Sequence, residues 1–374
     1  MRYLYRIDWK VIPILLGLMA ISLLVIATTT CDGAITGEDV FFTRYVKNQL
    51  KWFVLGLGAY FLFAFIDYRR LREWAWIAYI GALILLFGLF FTGAILKVNR
   101  WYRIPVIQMG MQPSEAAKIA VVLALSWFLE KKGKAVSRWS TCLQAGVIAG
   151  IPFILIAKQP DLGSALVLLP ITLGIFYFGG VKRRIVFALT GCAGAVIALV
   201  LAIFLGLISH EKMRPVAHLV LKEYQYERVS PDTGHQQAAK TAIALGGFWG
   251  SGWKKGAFTR KRFLPAGMTD SVFPAFVEEF GIAGAFTLLS LFFALLWCSF
   301  RVTVVARDPF GRVLAAGISV YLAVHIIVNI GMMCGFLPIT GVPLILISYG
   351  GSSVVLTMSA LGILQSIYAR RFMF

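Results

Sequence analysis

The chain has 374 residues, of which 59% are hydrophobic and only 14% are charged, whereas typical soluble domains carry about 25% charged residues. This composition indicates an all-α integral membrane protein and leaves too few polar residues for a separate soluble domain. The formal net charge of +19 is assigned to basic residues that flank membrane helices, and nucleic acid is therefore not expected as a partner.

Ten apolar runs predict membrane-spanning helices, since a helix needs about 20 mainly apolar residues to cross a bilayer. In chain order the predicted spans cover 11–29, 51–67, 75–97, 113–130, 142–158, 163–180, 185–208, 272–300, 313–337 and 343–368. The eighth run is long enough to include a polar turn before its buried part. We expect one polytopic membrane domain over 1–374, with a long loop at 209–271 between the seventh and eighth spans. The first run lacks an Ala-x-Ala cleavage site, which indicates a spanning helix and not a signal peptide.

Basic residues are distributed unevenly between the connecting segments. They gather before the first span, in the even-numbered loops and after the last span. The positive-inside rule therefore places both termini in the cytoplasm. The loop at 209–271 then lies outside, and its own basic residues count little because long loops translocate regardless of charge. Four polar or Gly/Pro-rich segments consequently face outward: 99–118, 158–165, the acidic start of the eighth span, and 337–353.

The segment QPSEAAK, Gln112 to Lys118, begins the fourth span. Pro113 suits the first turn of a helix, because the N–H that it lacks would be unpaired there anyway. Glu115 lies near the positive end of the helix dipole, and Lys118 follows three residues later on the same face. Two interpretations remain open, namely capping with an internal ion pair, or an anion-binding Lys118 oriented by Glu115. A charge at the centre of a membrane costs about 2.5–3.5 kcal/mol, which favours a polar cavity around the lysine.

Two further segments leave a choice between a structural role and ligand binding. Asp161 in QPDLGSA is placed as an N-cap of the sixth span, or as a polar wall of the same cavity. Gly350-Gly351-Ser352-Ser353 falls at the apolar run of the last span. Small residues there permit close helix packing, or they let backbone and hydroxyl groups approach a ligand.

The long loop predicts local features of its own. Pro215 to Tyr226 fits a helix that lies in the membrane interface. A short helical pattern and then five glycines follow Gly234, for which turns and a close-packed lid are the favoured interpretation; no nucleotide-binding glycine motif is matched. The five cysteines and four histidines show no metal-ligand spacing. The histidines are interpreted as ordinary polar residues: His210, His218, His235 and His325.

Three carboxylates, Asp270, Glu278 and Glu279, lead into the eighth span. Thr269 or Asp270 is a candidate cap for this helix. Glu278 and Glu279 are adjacent, so their side chains point about 100° apart, and one is expected to face a cavity while the other pairs with a basic residue. Ionisable groups inside a membrane are functional candidates by default.

Taken together and in order, these segments resemble the SEDS family (shape, elongation, division and sporulation), most closely its RodA-type members. The matching motifs are RW at 100–101, QPSE..K at 112–118, QPDLGSA at 159–165, TD..F....EE.G at 269–281 and P.TG.PLI..SYGGSS at 338–353. The resemblance covers essentially the whole chain, and the short stretch before the first span also favours a RodA-type member. One departure is Lys97-Val98-Asn99 ahead of the RW pair. Another is Gly110, where many members carry a basic residue, which leaves open whether Arg100 or Arg103 binds phosphate.

The resemblance implies a peptidoglycan glycosyltransferase that polymerises lipid II outside the bacterial cytoplasmic membrane and releases undecaprenyl pyrophosphate. It further implies work with a class B penicillin-binding protein, a transpeptidase, in the machinery of cell elongation and shape. The family's essential aspartate maps onto Asp270, its functional glutamate and lysine onto Glu115 and Lys118, and its tryptophan onto Trp101.

These expectations combine into one mechanistic hypothesis. Asp270 acts as general base on the acceptor hydroxyl, and a single in-line attack inverts the sugar carbon without a second carboxylate nucleophile. Lys118, with Arg100 or Arg103, stabilises the departing pyrophosphate, and a divalent cation (Mg²⁺ or Mn²⁺) held by carboxylates is an alternative source of that charge. The predicted substrate-binding residues are Glu115, Lys118, Trp101, Arg100 and Asp161, and the predicted supporting residues are Glu278, Glu279, Gln112, Ser352 and Ser353.

Two other classes of protein compete with the enzyme. A lipid II flippase would carry polar residues through the midplane to both faces, whereas the helix centres here are apolar and the polar helix ends gather on one side. A non-catalytic scaffold for the transpeptidase would use Asp270 only as a dispensable cap.

Overall fold

The structure is a computed structural model that describes residues 6–30, 41–91, 100–104, 109–159, 161–208 and 234–372. Within these ranges the chain is almost entirely helical. The helices are α1 Val11–Thr30, α2 Arg44–Phe65, α3 Leu71–Gly88, α4 Pro113–Lys132, α5 Trp139–Lys158, α6 Leu162–Phe178, α7 Arg183–Phe204, α8 Gly234–Gly246, α9 Ala257–Arg260, α10 Val272–Val305, α11 Pro309–Met333 and α12 Gly351–Ala369. Strands β1, Tyr102–Ile104, and β2, Met109–Met111, form an antiparallel pair.

The all-α membrane fold is confirmed, and every predicted span coincides with a helix. Seven helical stretches in the described part of the chain are long and apolar enough to cross a membrane: α1, the stretch Tyr68–Phe91 around α3, α5, α7, α10, α11 and α12. Helix α6 is apolar but has only 17 residues. The remaining two predicted spans correspond to α2 and α4, whose sequences carry more charged and amide side chains.

The tenth span was predicted to start at residue 343, and this start is wrong. Residues 341–350 are not helical, although their apolar side chains are buried. Non-helical backbone is tolerated at membrane depth where protein surrounds it and satisfies its polar groups. The Ser348 hydroxyl accepts the Leu344 N–H at 2.9 Å, and the carbonyl of Ile347 accepts the Ser22 hydroxyl at 2.7 Å. Helix α12 therefore begins only at Gly351.

Helix α10 is interrupted at Gly281, which has φ 65° and ψ −165°. The loop after α8 is inserted at this break, where the Ile282 N–H donates to the carbonyl of Gly247 at 3.0 Å. A Cβ on Gly281 would lie 2.4 Å from the Gly250 nitrogen, so the two backbones approach as closely as glycine alone permits. The close packing expected of this loop is confirmed for residues 234–271, and the short helical pattern is α8. The expected interfacial helix from Pro215 to Tyr226 lies outside the described residues.

The helix ends fall into two groups, which we call the site end and the opposite end. Helices α4, α6, α10 and α12 begin at the site end, while α1, α3, α5 and α11 finish there. At the opposite end, one Arg72 nitrogen lies 2.8 Å from Asp308 of α11 and 2.7 Å from Glu130 of α4. The buried Arg370 donates there to the carbonyl of Phe65 at 2.6 Å. The connections α2–α3, α4–α5 and α10–α11 and the end of α12, all of them basic, thus share one end of the bundle.

Candidate functional site

Asp270 lies half-buried in the turn before α10. Three hydrogen bonds fix the backbone of this turn: the Asp270 carbonyl accepts Asn329 Nδ2 at 3.0 Å, the Thr269 carbonyl accepts the Ser348 hydroxyl at 2.6 Å, and the Met268 carbonyl accepts the Tyr349 N–H at 2.8 Å. The N-cap position of α10 falls on Ser271, not on Thr269 or Asp270 as one interpretation had it. Asp270 is thus held on a fixed backbone by groups from α11 and the 341–350 segment.

The Asp270 carboxylate lies against the backbone of that segment. A Cβ built on Gly341, which has φ 75°, would lie 3.6 Å from Asp270 Oδ2. The preceding carbonyl, of Thr340, comes so close to α6 that a Cβ on Gly163 would be 2.2 Å from its oxygen. The segment around residues 340–343 therefore lies between Asp270 and the start of α6 and is in close contact with both.

Lys118 and Glu115 form a buried ion pair one turn inside α4. Lys118 Nζ lies 2.7 Å from Glu115 Oε1, and each residue is about 1% exposed. His325 of α11 is also buried, and its Nε2 lies 2.8 Å from the same ammonium nitrogen. Tyr321, one turn earlier on α11, directs its hydroxyl to Glu115 Oε2 at 3.5 Å. The internal ion pair is confirmed, and the cost of burying the charges is offset by pairing and hydrogen bonds.

Asp161 caps α6, as predicted, because its Oδ1 accepts the Ser164 N–H at 3.3 Å. It is also the centre of a second polar cluster. Gln112 donates to its Oδ2 at 3.0 Å, and the Arg100 guanidinium lies 3.9 Å from Oδ1 while donating to the Gln159 carbonyl at 3.2 Å. The structure thus brings three predicted residues, Arg100, Gln112 and Asp161, together at the start of α4 and α6.

Trp101 and Gly110 meet across the small hairpin, which was not predicted. A Cβ on Gly110 would lie 3.2 Å from Trp101 Cε3, so the tryptophan ring packs where a larger residue would stand. Gly110 stands where many members of the resembled family carry a basic residue, and its lack of a side chain leaves room for the ring. Trp101 keeps 37% of its surface exposed. The side chain of Arg103 and residues 97–99 lie outside the described part of the structure.

Glu278 and Glu279 both face the loop between α8 and α10. Glu278 accepts the N–H groups of Phe258 at 2.7 Å and Thr259 at 2.9 Å, which start the short helix α9. Glu279 accepts the Lys254 N–H at 2.9 Å and the Thr28 hydroxyl of α1 at 3.1 Å. Both are about 1% exposed. Backbone and hydroxyl donors thus surround both carboxylates, and Lys254, whose N–H bonds to Glu279, is the basic residue placed beside that glutamate.

Ser352 and Ser353 occupy the first turn of α12, where Ser352 is buried and Ser353 is partly buried. Next to them, a Cβ on Gly351 would lie 2.7 Å from the Trp52 ring of α2. This contact supports the close-packing interpretation of the glycine pair.

Three buried polar atoms at the site end find no hydrogen-bond partner among the described residues: Ser114 Oγ in the first turn of α4, Asn329 Oδ1, and Oε1 of Gln236, whose Nε2 donates to the Met332 carbonyl. Such atoms are normally satisfied by water or a ligand. In the same described ranges, no three His, Cys, Asp or Glu side chains group as a metal site.

Sequence reasoning missed three residues of α11: Tyr321, His325 and Asn329. All three are buried. A signal was present, because they are spaced by four and therefore line one face of a helix that is otherwise apolar. Polar residues repeated on one face of a membrane helix point to the bundle interior. The four-residue spacing therefore marks these three side chains as interior residues, although it is not a metal-ligand pattern.

The fold and the site define a polytopic membrane protein with ion pairs buried at one end of its bundle and a half-buried aspartate beside them. Residues 9–372 match the family of cell cycle proteins FtsW/RodA/SpoVE. Over 370 residues the chain is 33% identical to peptidoglycan glycosyltransferase MrdB of Escherichia coli K12. The alignment covers 98% of this chain and 94% of that protein. The chain belongs to the FtsW/RodA/SpoVE family, and the resemblance to SEDS proteins is confirmed.

Solved structures agree with this assignment. The fold matches a chain of a peptidoglycan synthase complex, studied for its coordination of polymerization and crosslinking, with a TM-score of 0.75 and 25% identity over 98% of this chain and 99% of that chain. It also matches the rod shape determining protein RodA of Thermus thermophilus, with a TM-score of 0.69 and 24% identity over 98% of each chain.

Proposed function

We propose that this protein is a peptidoglycan glycosyltransferase that polymerises lipid II into glycan strands and serves cell elongation and shape. Membership of the family and the activity named for its 33% identical relative support this function. The observation that carries it is the placement of Asp270, whose turn is fixed by Asn329 and Ser348 beside two buried ion-paired clusters. A reaction between two lipid-anchored sugars needs such a base at the membrane surface.

Asp270 is the general base in this proposal. It removes the proton from the 4-hydroxyl of the acceptor GlcNAc while that oxygen attacks C1 of the donor sugar. Proton transfer by a positioned side chain typically contributes about 10²–10⁴-fold to the rate. The new β-linkage forms as the bond from C1 to the α-linked pyrophosphate breaks, and undecaprenyl pyrophosphate leaves. One displacement inverts the carbon, so Glu278 and Glu279 are not needed as nucleophiles and hold the loop.

Positive charge at the pyrophosphate comes first from Lys118 and Arg100. Each of these cations already has a carboxylate neighbour, Glu115 or Asp161, so each pair is close to neutral. A pyrophosphate therefore calls for further charge. Mg²⁺ or Mn²⁺ fits this need, since Mg²⁺ at phosphate sites typically takes one or two carboxylates plus substrate oxygens. Asp161 would hold it, because a carboxylate has about four lone-pair sites.

The site end lies outside the bacterial cytoplasmic membrane in this proposal, and both termini lie in the cytoplasm. The basic loops at the opposite end support this orientation through the positive-inside rule. The polyprenyl tail of lipid II would lie along the apolar helix surfaces, with Trp101 at the interface.

A class B penicillin-binding protein is the proposed partner, because the strands must be cross-linked after polymerisation. The matching chain from a peptidoglycan synthase complex supports a partner of this kind. The elongation machinery would bring the two proteins together.

The test is polymerisation of labelled lipid II by the purified protein with its cognate transpeptidase, whose penicillin site is blocked, in the absence of any bifunctional polymerase. Wild type is expected to make glycan chains, and Asp270→Asn is expected to fold, retain the partner and lose at least about 100-fold in rate. The matched control is Asp67→Asn, at the opposite end, where Asp67 Oδ1 accepts the Arg69 N–H.

The outcomes separate the three classes of protein. Equal rates for wild type and Asp270→Asn would remove Asp270 as the base. No polymerisation by any variant would reject the enzyme, and lipid II translocation in liposomes would then decide between a flippase and a scaffold.

A further inference from the structure

His325 is a buried residue that the proposed chemistry does not use. Its ring is fully enclosed on α11 and lies 4.7 Å from the Tyr321 ring, centroid to centroid. Its Nε2 is 2.8 Å from Lys118 Nζ, and its Nδ1 is 3.4 Å from the Pro343 carbonyl oxygen. The imidazole therefore bridges α4 and the non-helical 341–350 segment.

The protons of this bridge follow from the groups involved. An ammonium has three donors and no acceptor, and it uses one donor on Glu115 Oε1 at 2.7 Å. His325 Nε2 must then be the acceptor for a second ammonium proton. The neutral ring carries its own proton on Nδ1, which points to the Pro343 carbonyl. Each ring nitrogen has one role, and this fixes the orientation of the imidazole.

The Pro343 carbonyl belongs to the segment that also holds Asp270. One residue earlier, the Val342 carbonyl accepts Asn329 Nδ2 at 2.8 Å, and the same nitrogen donates to the Asp270 carbonyl at 3.0 Å. A continuous set of hydrogen bonds thus runs from Lys118 through His325 and residues 342–343 to the turn that carries Asp270.

We propose that His325 is a positioning residue, which sets Lys118 to bind the pyrophosphate of the lipid substrate and fixes its place relative to Asp270. The inference rests on the proposed function. His325 does not touch substrate; it acts through Lys118. Misplacing a catalytic group by about 1 Å can cost about 100-fold in rate, and an ammonium without its second acceptor would move toward Glu115.

The test compares two substitutions at this position in the full-length protein. His325→Gln keeps an acceptor for Lys118 and a donor for the Pro343 carbonyl, whereas His325→Leu fills similar volume with neither. We measure the Kd for undecaprenyl pyrophosphate and the kcat and KM for lipid II, together with the thermal midpoint. The matched control is Ser319→Ala, since the buried Ser319 hydroxyl on α11 bonds only within its own helix, to the Ala315 carbonyl, among the described contacts.

The leucine variant is expected to lower kcat and weaken pyrophosphate binding by about tenfold or more, and the glutamine variant to stay within about threefold of wild type. Since His325 acts through Lys118, the double variant His325→Leu/Lys118→Met should bind pyrophosphate no more weakly than Lys118→Met alone. A wild-type Kd for undecaprenyl pyrophosphate in His325→Leu would overturn the proposal. So would a double variant whose loss of affinity is the product of the losses in the two single variants.

Four further outcomes are also decisive. Equal losses in His325→Leu and His325→Gln that follow the thermal midpoint would assign His325 to the stability of the bundle, and so would failure of both variants to fold. Wild type could make no glycan chains and still bind undecaprenyl pyrophosphate, with weaker binding by His325→Leu and near wild-type binding by His325→Gln. In that case the proposed function fails while the positioning of Lys118 stands. If wild type neither polymerises nor binds it, both are rejected.

Discussion

Glu278 and Glu279 are adjacent and equally buried, yet conversion of Glu278 to glutamine should destabilise the loop far more than conversion of Glu279. Glu278 Oε1 accepts the Phe258 N–H at 2.7 Å, while Oε2 accepts the Thr259 N–H at 2.9 Å and the Thr259 hydroxyl. A glutamine has one oxygen, so its NH₂ must face one of these two backbone donors. One buried N–H then loses its acceptor and meets another donor, whichever way the amide is turned.

The size of the effect follows from these bonds. An unsatisfied buried polar group costs about 1–3 kcal/mol, and hydrogen bonds to a charged acceptor contribute about 1.5–3 kcal/mol each. We therefore expect Glu278→Gln to raise the free energy of the docked 251–260 segment by about 2–4 kcal/mol. Since 1.4 kcal/mol is tenfold, the open population of that segment should increase by about 25- to 700-fold.

Glu279→Gln is the matched control. Its amide oxygen can accept the Lys254 N–H, and its NH₂ can donate to the Thr28 hydroxyl, which itself donates to the Leu24 carbonyl at 3.1 Å. Both of these hydrogen bonds are kept, and we expect a cost below about 1 kcal/mol.

The rate of limited trypsin cleavage in nanodiscs measures the open population of the 251–260 segment in each variant, since the segment contains Lys254, Lys255 and Arg260. Cleavage tracks the open population when opening and closing are fast relative to proteolysis. Hydrogen exchange of the same backbone amides is the second readout. Equal protection in the two variants would refute the assignment of Glu278 as the cap of α9.

Three further predictions concern the site end. Asn329→Leu removes the donor shared by the Asp270 and Val342 carbonyls, so kcat for lipid II should fall about 10- to 100-fold in a folded protein; an unchanged kcat would show that the turn needs no support from α11. Gly163→Ala would place its Cβ 2.2 Å from the Thr340 oxygen and should destabilise by about 1–3 kcal/mol, seen as a lower thermal midpoint, whereas Gly146→Ala, with nothing within 4 Å, should not; equal midpoints would contradict the close approach. Chelation with EDTA should abolish polymerisation and added Mg²⁺ or Mn²⁺ should restore it, because the site cations are already paired; full activity in EDTA would assign charge compensation to the protein alone.

The extent of the helices could be predicted because apolar run length is a direct consequence of bilayer thickness. The start of the last span could not. Residues 343–349 are as apolar as a spanning helix, and only their burial inside the bundle, with Ser348 and Ser22 as partners, explains how they stay non-helical. Hydropathy measures transfer from water and cannot distinguish a lipid environment from a protein interior.

The polar motifs could be placed at one end of the bundle because alternate spans bring alternate loops together. The Lys118–Glu115 pair and the Asp161 cap followed from spacing along single helices. His325 could not be assigned from a search for metal spacing, because its partner Lys118 is more than 200 positions away. The insertion of the loop into the break at Gly281 depends on glycines from two elements that only the folded chain brings into contact.

The three carboxylates before the apolar part of α10, Asp270, Glu278 and Glu279, differ in their surroundings. Glu278 and Glu279 accept hydrogen bonds from backbone N–H groups and hydroxyls of the loop and of α1, and these bonds hold the loop over the helix break. Asp270 differs, because its turn is anchored by its carbonyl and its neighbours while the side chain stays half-buried beside Gly341. A base must reach a hydroxyl that arrives from outside the protein. Burial of the two glutamates supports a structural role for them, and the partial exposure of Asp270 supports its proposed role as the base.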